Sequence, residues 1–248
     1  MKSVNFITDL DRTIIHSKNK GFKCVEFLKD REITYMTEDS YKLLLNILSL
    51  KNFNFIPCTM RNIDQTLRVQ FIKEYNPKII ICTNGAQIYI DGILDEAWDL
   101  NMRKFIKEKE INNRIVFLKG LELNECDIRN IEGFYIAIKC NSVEDAKINC
   151  NRIKKYINSP NRIINVHSKI FIINENINKI HAVNYIIRKF NLKNVITSGD
   201  SEVDLEFTTK GICILPKHAS FKHKEAEVTE KEGIYSTEEI LEKVKGYM

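Results

Sequence analysis

Two short acidic motifs each follow an apolar stretch of the sequence. In the first, the run NFIT leads into Asp9 and Asp11, with Thr13 two residues further on. In the second, VITSG leads into Asp200 and Asp204. Alternate residues of an extended segment point to the same side, so Asp9 and Asp11 can face one crevice. Close carboxylates repel one another and therefore indicate a hard divalent cation with oxygen ligands.

Each motif taken alone also has a simpler interpretation. The first is typical of a capped turn, and the second of acids at the start of a helix, where they interact favourably with the helix dipole. The two motifs carry more weight together, because both follow predicted strands and ligands bind beyond the carboxyl ends of strands in open α/β sheets. We therefore expect the four aspartates to converge on one site.

The predicted elements before residue 84 alternate between strand and helix, an order that indicates a parallel sheet with helices on both faces. A hairpin at 21–36, turning near Asp30, is predicted beside the first strand. The fold predicted for both ends of the chain is a doubly wound α/β fold. The elements of the first part are strands at 4–8, 53–58 and 78–83 and helices at 37–51 and 63–75.

The pattern changes after Asn84-Gly85 and returns near Lys179. We predict a core formed by residues 1–85 and 177–248, interrupted at 86–176 by an inserted α+β domain that begins with a hairpin turning at Asp91-Gly92. The remaining elements are, in the insert, a hairpin at 87–94, helices near 101–111 and at 142–157, and strands at 133–139, 162–166 and 169–174; in the core, a helix at 179–190, a strand at 194–198, a helix from 201, a strand at 211–215 and a helix at 237–244.

Composition narrows the class of protein. The chain has 248 residues, 44% hydrophobic and 29% charged, with 4 Pro and 9 Gly, which is typical of a globular protein. Its net charge of +5 is spread along the chain, which gives little support to nucleic-acid binding and suits an anionic small substrate equally well. Seven cysteines without a CxxC pair predict neither a disulfide framework nor a zinc site. With no signal peptide or membrane-length apolar run, we expect a cytoplasmic protein without membrane or nucleic-acid partners.

The motifs resemble, in order, the four signatures of the haloacid dehalogenase (HAD) superfamily, whose members are mostly Mg²⁺-dependent phosphatases and phosphotransferases. DLDRT resembles the first, D-x-D-x-T. Thr59 in IPCTMRN resembles the second, Lys179 at a helix start the third, and GDSEVD the fourth. The insert resembles the large α/β cap of members such as sucrose-phosphate phosphatase, and CTNGAQIYIDG resembles the hairpin that enters it. The resemblance implies a HAD-like Rossmannoid core with a cap.

The resemblance also implies catalytic roles. Asp9 would be the nucleophile that forms an aspartyl-phosphate. Asp11 would protonate the leaving oxygen and then take a proton from the attacking water. Thr59 would donate to a phosphoryl oxygen, and Lys179 would offset negative charge. Arg61 is a candidate for substrate binding and equally typical of a helix start.

For the metal, the resemblance implies Mg²⁺ held by Asp9, by the main-chain carbonyl of Asp11 and by Asp200. Asp204 would bind the ion through water or hold the catalytic lysine. Asn84, at the entrance to the insert, is a second candidate for substrate binding and equally typical of a turn.

Two positions depart from the family pattern: Arg12 replaces a frequent glycine, and Val203 replaces a frequent asparagine of cap-bearing members. A narrower resemblance is carried by DLDRTIIHS, CVEFLKDREITYMTE and CTMRNIDQ. These segments are similar to HAD proteins encoded with tellurite-resistance-type stress proteins in bacteria, which implies biosynthesis of a phosphorylated, nucleoside-like metabolite.

The sequence therefore predicts an Mg²⁺-dependent phosphomonoesterase that acts on a small phosphorylated metabolite, sugar- or nucleoside-like. The same residues could serve a phosphomutase, which returns the phosphoryl group to the substrate. A third class is a non-catalytic module that binds a phosphometabolite or RNA. Asp9 and Asp11 disfavour that class, because binding alone does not need a nucleophile.

Overall fold

The computed structural model describes residues 3–17 and 19–248. The chain divides into two compact units, named here the core unit (Met1–Asp95 and Lys179–Met248) and the insert unit (Glu96–Asn178). The strands are β1 Val4–Thr8, β2 Lys23–Leu28, β3 Arg31–Met36, β4 Phe53–Pro57, β5 Ile79–Cys82, β6 Gln87–Ile90, β7 Ile93–Leu94, β8 Cys126–Ile131, β9 Tyr135–Cys140, β10 Asn161–Val166, β11 Lys169–Asn174, β12 Val195–Ser198, β13 Ile212–Leu215 and β14 Glu227–Val228. The helices are α1 Glu38–Leu48, α2 Ile63–Leu67, α3 Gln70–Tyr75, α4 Glu96–Arg103, α5 Glu108–Lys119, α6 Val143–Ile153, α7 Lys179–Phe190, α8 Leu205–Thr208 and α9 Ser236–Gly246.

A five-stranded parallel sheet in the order β14-β13-β12-β1-β4 forms the centre of the core unit. All five residues of β1 are buried, as expected for a central strand covered on both faces. The predicted parallel α/β fold is confirmed. The predicted strand at 78–83 corresponds to β5, which lies outside this five-stranded ladder and pairs with β6. A parallel bridge between Cys58 and Ile81 connects β5 to the chain that follows β4.

Helices α1 and α9 pack with the sheet. The apolar side of α1 buries Leu44 and Ile47 in the same cluster as Phe6 of β1 and Leu241 of α9. The helix begins where Thr37 caps it, since the Thr37 side chain accepts a hydrogen bond from the Ser40 main-chain N–H at 3.0 Å. Side-chain burial and capping therefore place this helix as its sequence pattern predicts.

The hairpin predicted at 21–36 is present as β2 and β3, which pair in antiparallel fashion around a turn at Lys29 and Asp30. The helix predicted over 63–75 is interrupted, because α2 ends at Leu67 and α3 begins at Gln70. At that interruption Val69 forms an antiparallel bridge with Glu26 of β2. The hairpin therefore pairs with the main chain between the two helices.

The insert unit contains an antiparallel sheet in the order β10-β11-β9-β8. Side chains of this sheet and of α5 and α6 form one apolar cluster. The predicted helix near 101–111 is wrong in its bounds, because α4 ends at Arg103 and α5 begins at Glu108. Strand β8 was not predicted. The predicted boundary at residue 86 placed the hairpin of β6 and β7 in the insert, but this hairpin belongs to the core unit.

Among the described residues, the structure has no helix with the length and apolar character of a membrane span.

Candidate active site

The two acidic motifs lie at the same end of two neighbouring strands. Strands β1 and β12 run parallel with Thr8 opposite Ser198, and the Asp9 N–H extends the pairing by donating to the Ser198 carbonyl at 2.9 Å. Asp200 follows β12 by two residues. The sheet register therefore brings Asp9 and Asp200 together although 191 positions separate them in the sequence.

Lys179, the first residue of α7, connects the two motifs. Its side chain is buried, and its Nζ donates to Asp9 Oδ1 at 2.6 Å and to Asp204 Oδ1 at 2.6 Å. Burial alone would lower the pKa of Lys179, but the Asp204 and Asp9 carboxylates outweigh burial and raise it above its ordinary value. Lys179 is therefore a permanently charged bridge between two aspartates.

Asp204 has a second set of partners on its other carboxylate oxygen. Asp204 Oδ2 accepts hydrogen bonds from the Asp200 N–H at 3.2 Å, from the Ser201 N–H at 3.0 Å and from Ser201 Oγ at 2.9 Å. Of the two roles predicted for Asp204, the structure shows the contact with Lys179. The same side chain fixes the loop that carries Asp200.

Three carboxylates form a candidate metal site. Oxygen atoms of Asp9, Asp200 and Asp204 all lie within 4.8 Å of one another, and all three residues are buried. Oxygen ligands of this kind suit Mg²⁺, which is usually bound through one or two carboxylates together with water and substrate oxygens. The donor set thus fits the predicted ion.

The electrostatics of these carboxylates indicate an excess of negative charge. Burial raises the pKa of Asp9 well above its ordinary value, and although Lys179 lowers it, the charges of Asp204 and Asp200 raise it again. Burial and Asp204 raise the pKa of Asp200 to about 6, in spite of Arg12. Carboxyl groups with raised pKa values are stabilised by a bound cation, which supports the fit of a divalent metal ion.

Arg12 lies against the same site. Its Nε donates to Asp200 Oδ2 at 2.8 Å. The residue has a positive φ of 66°, a conformation that glycine adopts without strain. Its carbonyl accepts a hydrogen bond from His218 Nε2 at 2.8 Å, while His218 Nδ1 accepts from the Gly233 N–H at 3.0 Å. An arginine therefore occupies a glycine-like backbone position and places a cation on a candidate metal ligand.

The Asp11 carboxylate is held by Arg61. Arg61 donates from Nε to Asp11 Oδ2 and from Nη2 to Asp11 Oδ1, both at 2.7 Å. Such a two-bond contact is strong and fixes the plane of the carboxylate. Arg61 was predicted to bind substrate; the structure places it on Asp11 and on Glu26, a buried acid that the sequence did not single out.

A main-chain hydrogen bond joins Thr59 and Asn84. Thr59 follows β4 and its N–H donates to the Ile81 carbonyl at 2.9 Å, while its Oγ1 accepts from the Arg61 N–H at 3.2 Å. The N–H of Asn84, a buried residue with a positive φ of 56°, donates to the Thr59 carbonyl at 3.0 Å. Asn84 thus supports the Thr59 backbone; its predicted contact with substrate stays a prediction.

The comparisons with known proteins agree with this architecture. The family model for sucrose-6F-phosphate phosphohydrolase matches residues 2–242. No curated protein matches the sequence at a significant level. The sucrose-phosphatase of Synechocystis, solved with sucrose and phosphate, is 14% identical with a TM-score of 0.66, over 100% of this chain and 98% of that one.

Two further solved structures are similar to the chain. A protein of Thermoplasma acidophilum is 14% identical with a TM-score of 0.67, over 100% of both chains. A protein of Plasmodium vivax described as HAD/Cof-like is 14% identical with a TM-score of 0.71, over 100% of this chain and 97% of that one. These likenesses show the fold, whereas the family match spans both units: the chain belongs to the sucrose-6F-phosphate phosphohydrolase family and is a HAD-type phosphatase.

Proposed function

We propose that the protein hydrolyses the phosphate ester of a small sugar through an aspartyl-phosphate on Asp9. One observation carries the proposal: buried Lys179 fixes Asp9 at 2.6 Å, beside the carboxylates of Asp200 and Asp204. A carboxylate held in this way, close to a donor set that fits Mg²⁺, is suited to nucleophilic attack on phosphorus.

In the first step, an oxygen of Asp9 attacks phosphorus and the bond from phosphorus to the ester oxygen breaks. Lys179 holds Oδ1, so Oδ2 is the attacking atom. Asp11 gives a proton to the leaving sugar oxygen. In the second step, water attacks phosphorus, Asp11 takes the water proton, and the bond between phosphorus and Asp9 breaks to release phosphate.

The remaining groups position the phosphoryl group. Thr59 donates its hydroxyl proton to a phosphoryl oxygen, and Lys179 offsets the negative charge beside it. Asp9, the Asp11 carbonyl and Asp200 would hold a Mg²⁺ ion, which would supply further neutralisation of that charge. Asp204 keeps the Asp200 loop in place through its three hydrogen bonds.

The family supports sugar phosphates as the substrate class. The matched family is named for a sugar phosphate, and a solved protein of the same fold holds sucrose and phosphate. We therefore favour sugar phosphates over nucleoside phosphates. The narrower resemblance to stress-associated HAD proteins, with its nucleoside-like metabolite, stays a prediction.

A panel of sugar and nucleoside phosphates tests this proposal, with phosphate release as the readout. Asp9→Asn should abolish turnover and remove any phosphoenzyme. Asp11→Asn should slow turnover by about 10²–10⁴-fold, the usual contribution of a positioned acid and base. Thr59→Ala should cost less than either. If Asp9→Asn retained more activity than Thr59→Ala, the assigned roles would be wrong.

Two further arms separate the alternative functions. A phosphomutase would return the phosphoryl group to the sugar, so product analysis should show an isomeric sugar phosphate instead of free phosphate. A binding module would show no turnover at any Mg²⁺ concentration. Full activity after exhaustive chelation of divalent cations would contradict the proposed use of Mg²⁺.

A further inference from the structure

Glu26, in the β2–β3 hairpin, is a buried carboxylate that the proposed reaction does not use. It is 0% exposed, and a buried acid is rare unless it is paired. Its Oε1 accepts from Arg68 Nε at 3.1 Å and Nη2 at 3.0 Å. Its Oε2 accepts from Arg61 Nη1 at 2.9 Å and from Thr34 Oγ1 at 3.1 Å. Each oxygen thus accepts two hydrogen bonds.

The backbone departs from regular structure in two places around Glu26. The pairing of β2 with β3 shifts register on both sides of Glu26, as in a β-bulge, which re-aims a side chain. Glu26 also bridges Val69, where the helix predicted over 63–75 is interrupted. These irregularities in two separate segments meet at one carboxylate.

Arg61 transmits the position of Glu26 to the catalytic centre. Its Nη1 donates to Glu26 and also to the Gln65 carbonyl at 3.2 Å, while Nε and Nη2 donate to Asp11. Since the guanidinium is planar and rigid, fixing Nη1 fixes the direction of the other two donors. The Asp11 carboxylate therefore takes its orientation from a group that is held by the hairpin.

We infer that Glu26 is a positioning residue for the leaving-group step, acting through Arg61 to place the Asp11 carboxyl where it meets the ester oxygen. The inference rests on the proposed function, in which Asp11 protonates that oxygen. A catalytic group displaced by about 1 Å can lose about 10²-fold in rate, so a residue that only orients Asp11 has a measurable effect.

The leaving group makes the test specific. The alkoxide of a sugar ester is a poor leaving group and needs the proton of Asp11. The p-nitrophenolate of p-nitrophenyl phosphate leaves as a stable anion and does not. Loss of a correctly placed Asp11 therefore slows transfer of the phosphoryl group from the sugar ester to Asp9 and spares transfer from the aryl ester, whereas general damage to the site slows both transfers. The second step, in which Asp11 takes a water proton, is common to both esters and follows departure of the leaving group, so it does not enter kcat/KM.

The experiment measures kcat and KM of Glu26→Gln for p-nitrophenyl phosphate and for the sugar phosphate that ranks first in the panel described above. We expect kcat/KM for the sugar ester to fall by about 10- to 100-fold and kcat/KM for the aryl ester to stay within about threefold. Equal losses of kcat/KM for the two esters overturn the inference.

Glu227→Gln is the matched control. Glu227 lies in the core unit and is also ion-paired, to Lys243 at 2.9 Å, but it has no part in the site. It should leave both rates unchanged. If Glu26→Gln does not fold, as judged by thermal unfolding, Arg61→Lys is the second variant. Lysine keeps the positive charge but lacks the planar set of N–H donors that contacts Glu26 and Asp11 together. Arg61→Lys should show the same difference between the two esters, and equal losses again overturn the inference.

A double-mutant cycle separates this inference from the proposed function. In an Asp11→Asn background, Glu26→Gln should cause no further change in the ratio of the two rates, because the group that it positions is gone. An additional loss of the sugar-ester rate overturns the inference. If Asp11→Asn alone lowers kcat/KM for both esters equally, the role of Asp11 as the acid in the proposed function fails. If Asp11→Asn slows the sugar ester selectively and Glu26→Gln does not, the positioning role alone fails.

Discussion

At the scale of single residues, the site is a balance of opposite charges brought from distant parts of the chain. Four aspartates stand against Lys179, Arg12 and Arg61, which leaves one negative charge in excess when all are ionised. Burial, and after it the neighbouring carboxylates, raise the pKa of Asp9 and of Asp200. Protons and a metal ion are therefore competitors for the same carboxylates.

This competition predicts how pH affects stability. The pKa of Asp200 is about 6 in the folded protein against an ordinary value of 3.8, so the folded state binds more protons than the unfolded state between these values. Without metal, this site therefore loses stability as pH rises through that window. Thermal unfolding should show that Mg²⁺ raises Tm more at pH 7 than at pH 5.

The control for this prediction is Asp200→Asn, which removes the titrating group. The variant should lose most of the Mg²⁺-dependent rise in Tm, and with it the difference between the two pH values. An equal Mg²⁺ effect at pH 5 and pH 7 in the unmodified protein would show that protons and metal do not compete at this site.

A second prediction concerns Arg12, whose guanidinium contacts Asp200 while its backbone has a positive φ. Arg12→Gly removes a competing cation and relieves the backbone. The Arg12 side chain is 38% exposed, so the contact is partly screened and Mg²⁺ should bind only about 2- to 5-fold more tightly. Isothermal titration calorimetry measures this. Arg12→Ala should gain the same affinity but be less stable than Arg12→Gly by about 1 kcal/mol. Unchanged affinity in both variants would remove Arg12 from the metal site.

The residue types of the site could be predicted from the sequence better than their contacts. The sequence patterns of β1, β12 and α7 are clear. Asp9 follows the first of these elements, Asp200 follows the second and Lys179 begins the third, so their meeting could be expected from the predicted sheet. The contact of Arg61 with Asp11 depends on Glu26, and Glu26 reaches it through a bulge. An irregular pairing of that kind leaves no periodic signal in the sequence, because the register shift depends on the docked partner.

At the scale of elements, the sequence predicted the strands and helices with strong periodicity and missed those defined by tertiary pairing. Strand β8 reads CDIRNI, in which three of the six residues are polar and the alternation breaks at Arg129-Asn130, and its ladder to β9 places it at an edge of its sheet. The interruption between α2 and α3 contains neither proline nor glycine. It forms because Val69 pairs with the hairpin, and a local pattern does not record such a distant partner.

The loop after β12 gives a prediction at this scale. A Cβ added at Gly199 would lie 2.4 Å from the Asp204 Cβ and 2.9 Å from its Oδ2, so Gly199→Ala must displace the side chain that holds Lys179. We expect about 1–3 kcal/mol of destabilisation and a loss of about 10- to 100-fold in kcat/KM. Phosphate-release kinetics and denaturant unfolding measure the two effects.

Two other glycines serve as controls for Gly199→Ala. A Cβ at Gly211 would lie 2.2 Å from the Val195 carbonyl oxygen, so Gly211→Ala should destabilise the fold by a similar amount and leave kcat of the folded enzyme unchanged. Gly246, in the last turn of α9, has open space and should tolerate alanine. If Gly211→Ala lowered kcat as much as Gly199→Ala, the loss would come from the fold and not from Asp204.

At the scale of the whole molecule, the chain builds two units with separate apolar cores. The cluster around Phe6, Leu44 and Leu241 belongs to the core unit, and the cluster around Ile138 and Ile172 belongs to the insert unit. The alternation of strands and helices, and its interruption, could be read from the sequence. The hairpin of β6 and β7 was harder to assign, since its pairing with β5 is not visible in a local pattern.

This division predicts where substrate preference resides. The site residues of the core unit are committed to the phosphoryl group, so the choice among sugars should depend on the insert unit. Replacing Glu96–Asn178 with a short Gly/Ser linker should leave slow hydrolysis of p-nitrophenyl phosphate. The kcat/KM for the best sugar ester relative to the aryl ester should fall by about tenfold or more. An unchanged ratio in a folded variant would place the preference in the core unit.

The place of β1 in the sheet has a consequence for the protein while it is still on the ribosome. This strand lies between β4 and β12, and β12 follows the whole insert unit in the chain. Until Lys179 and β12 emerge, the nascent chain carries an apolar strand with one open edge and an Asp9 without its lysine partner. The insert unit is a single continuous stretch and can complete its own sheet first. The segment from Lys179 to Asp204, which is synthesised after the insert unit, therefore pairs β12 with β1 and brings Lys179, Asp200 and Asp204 to Asp9.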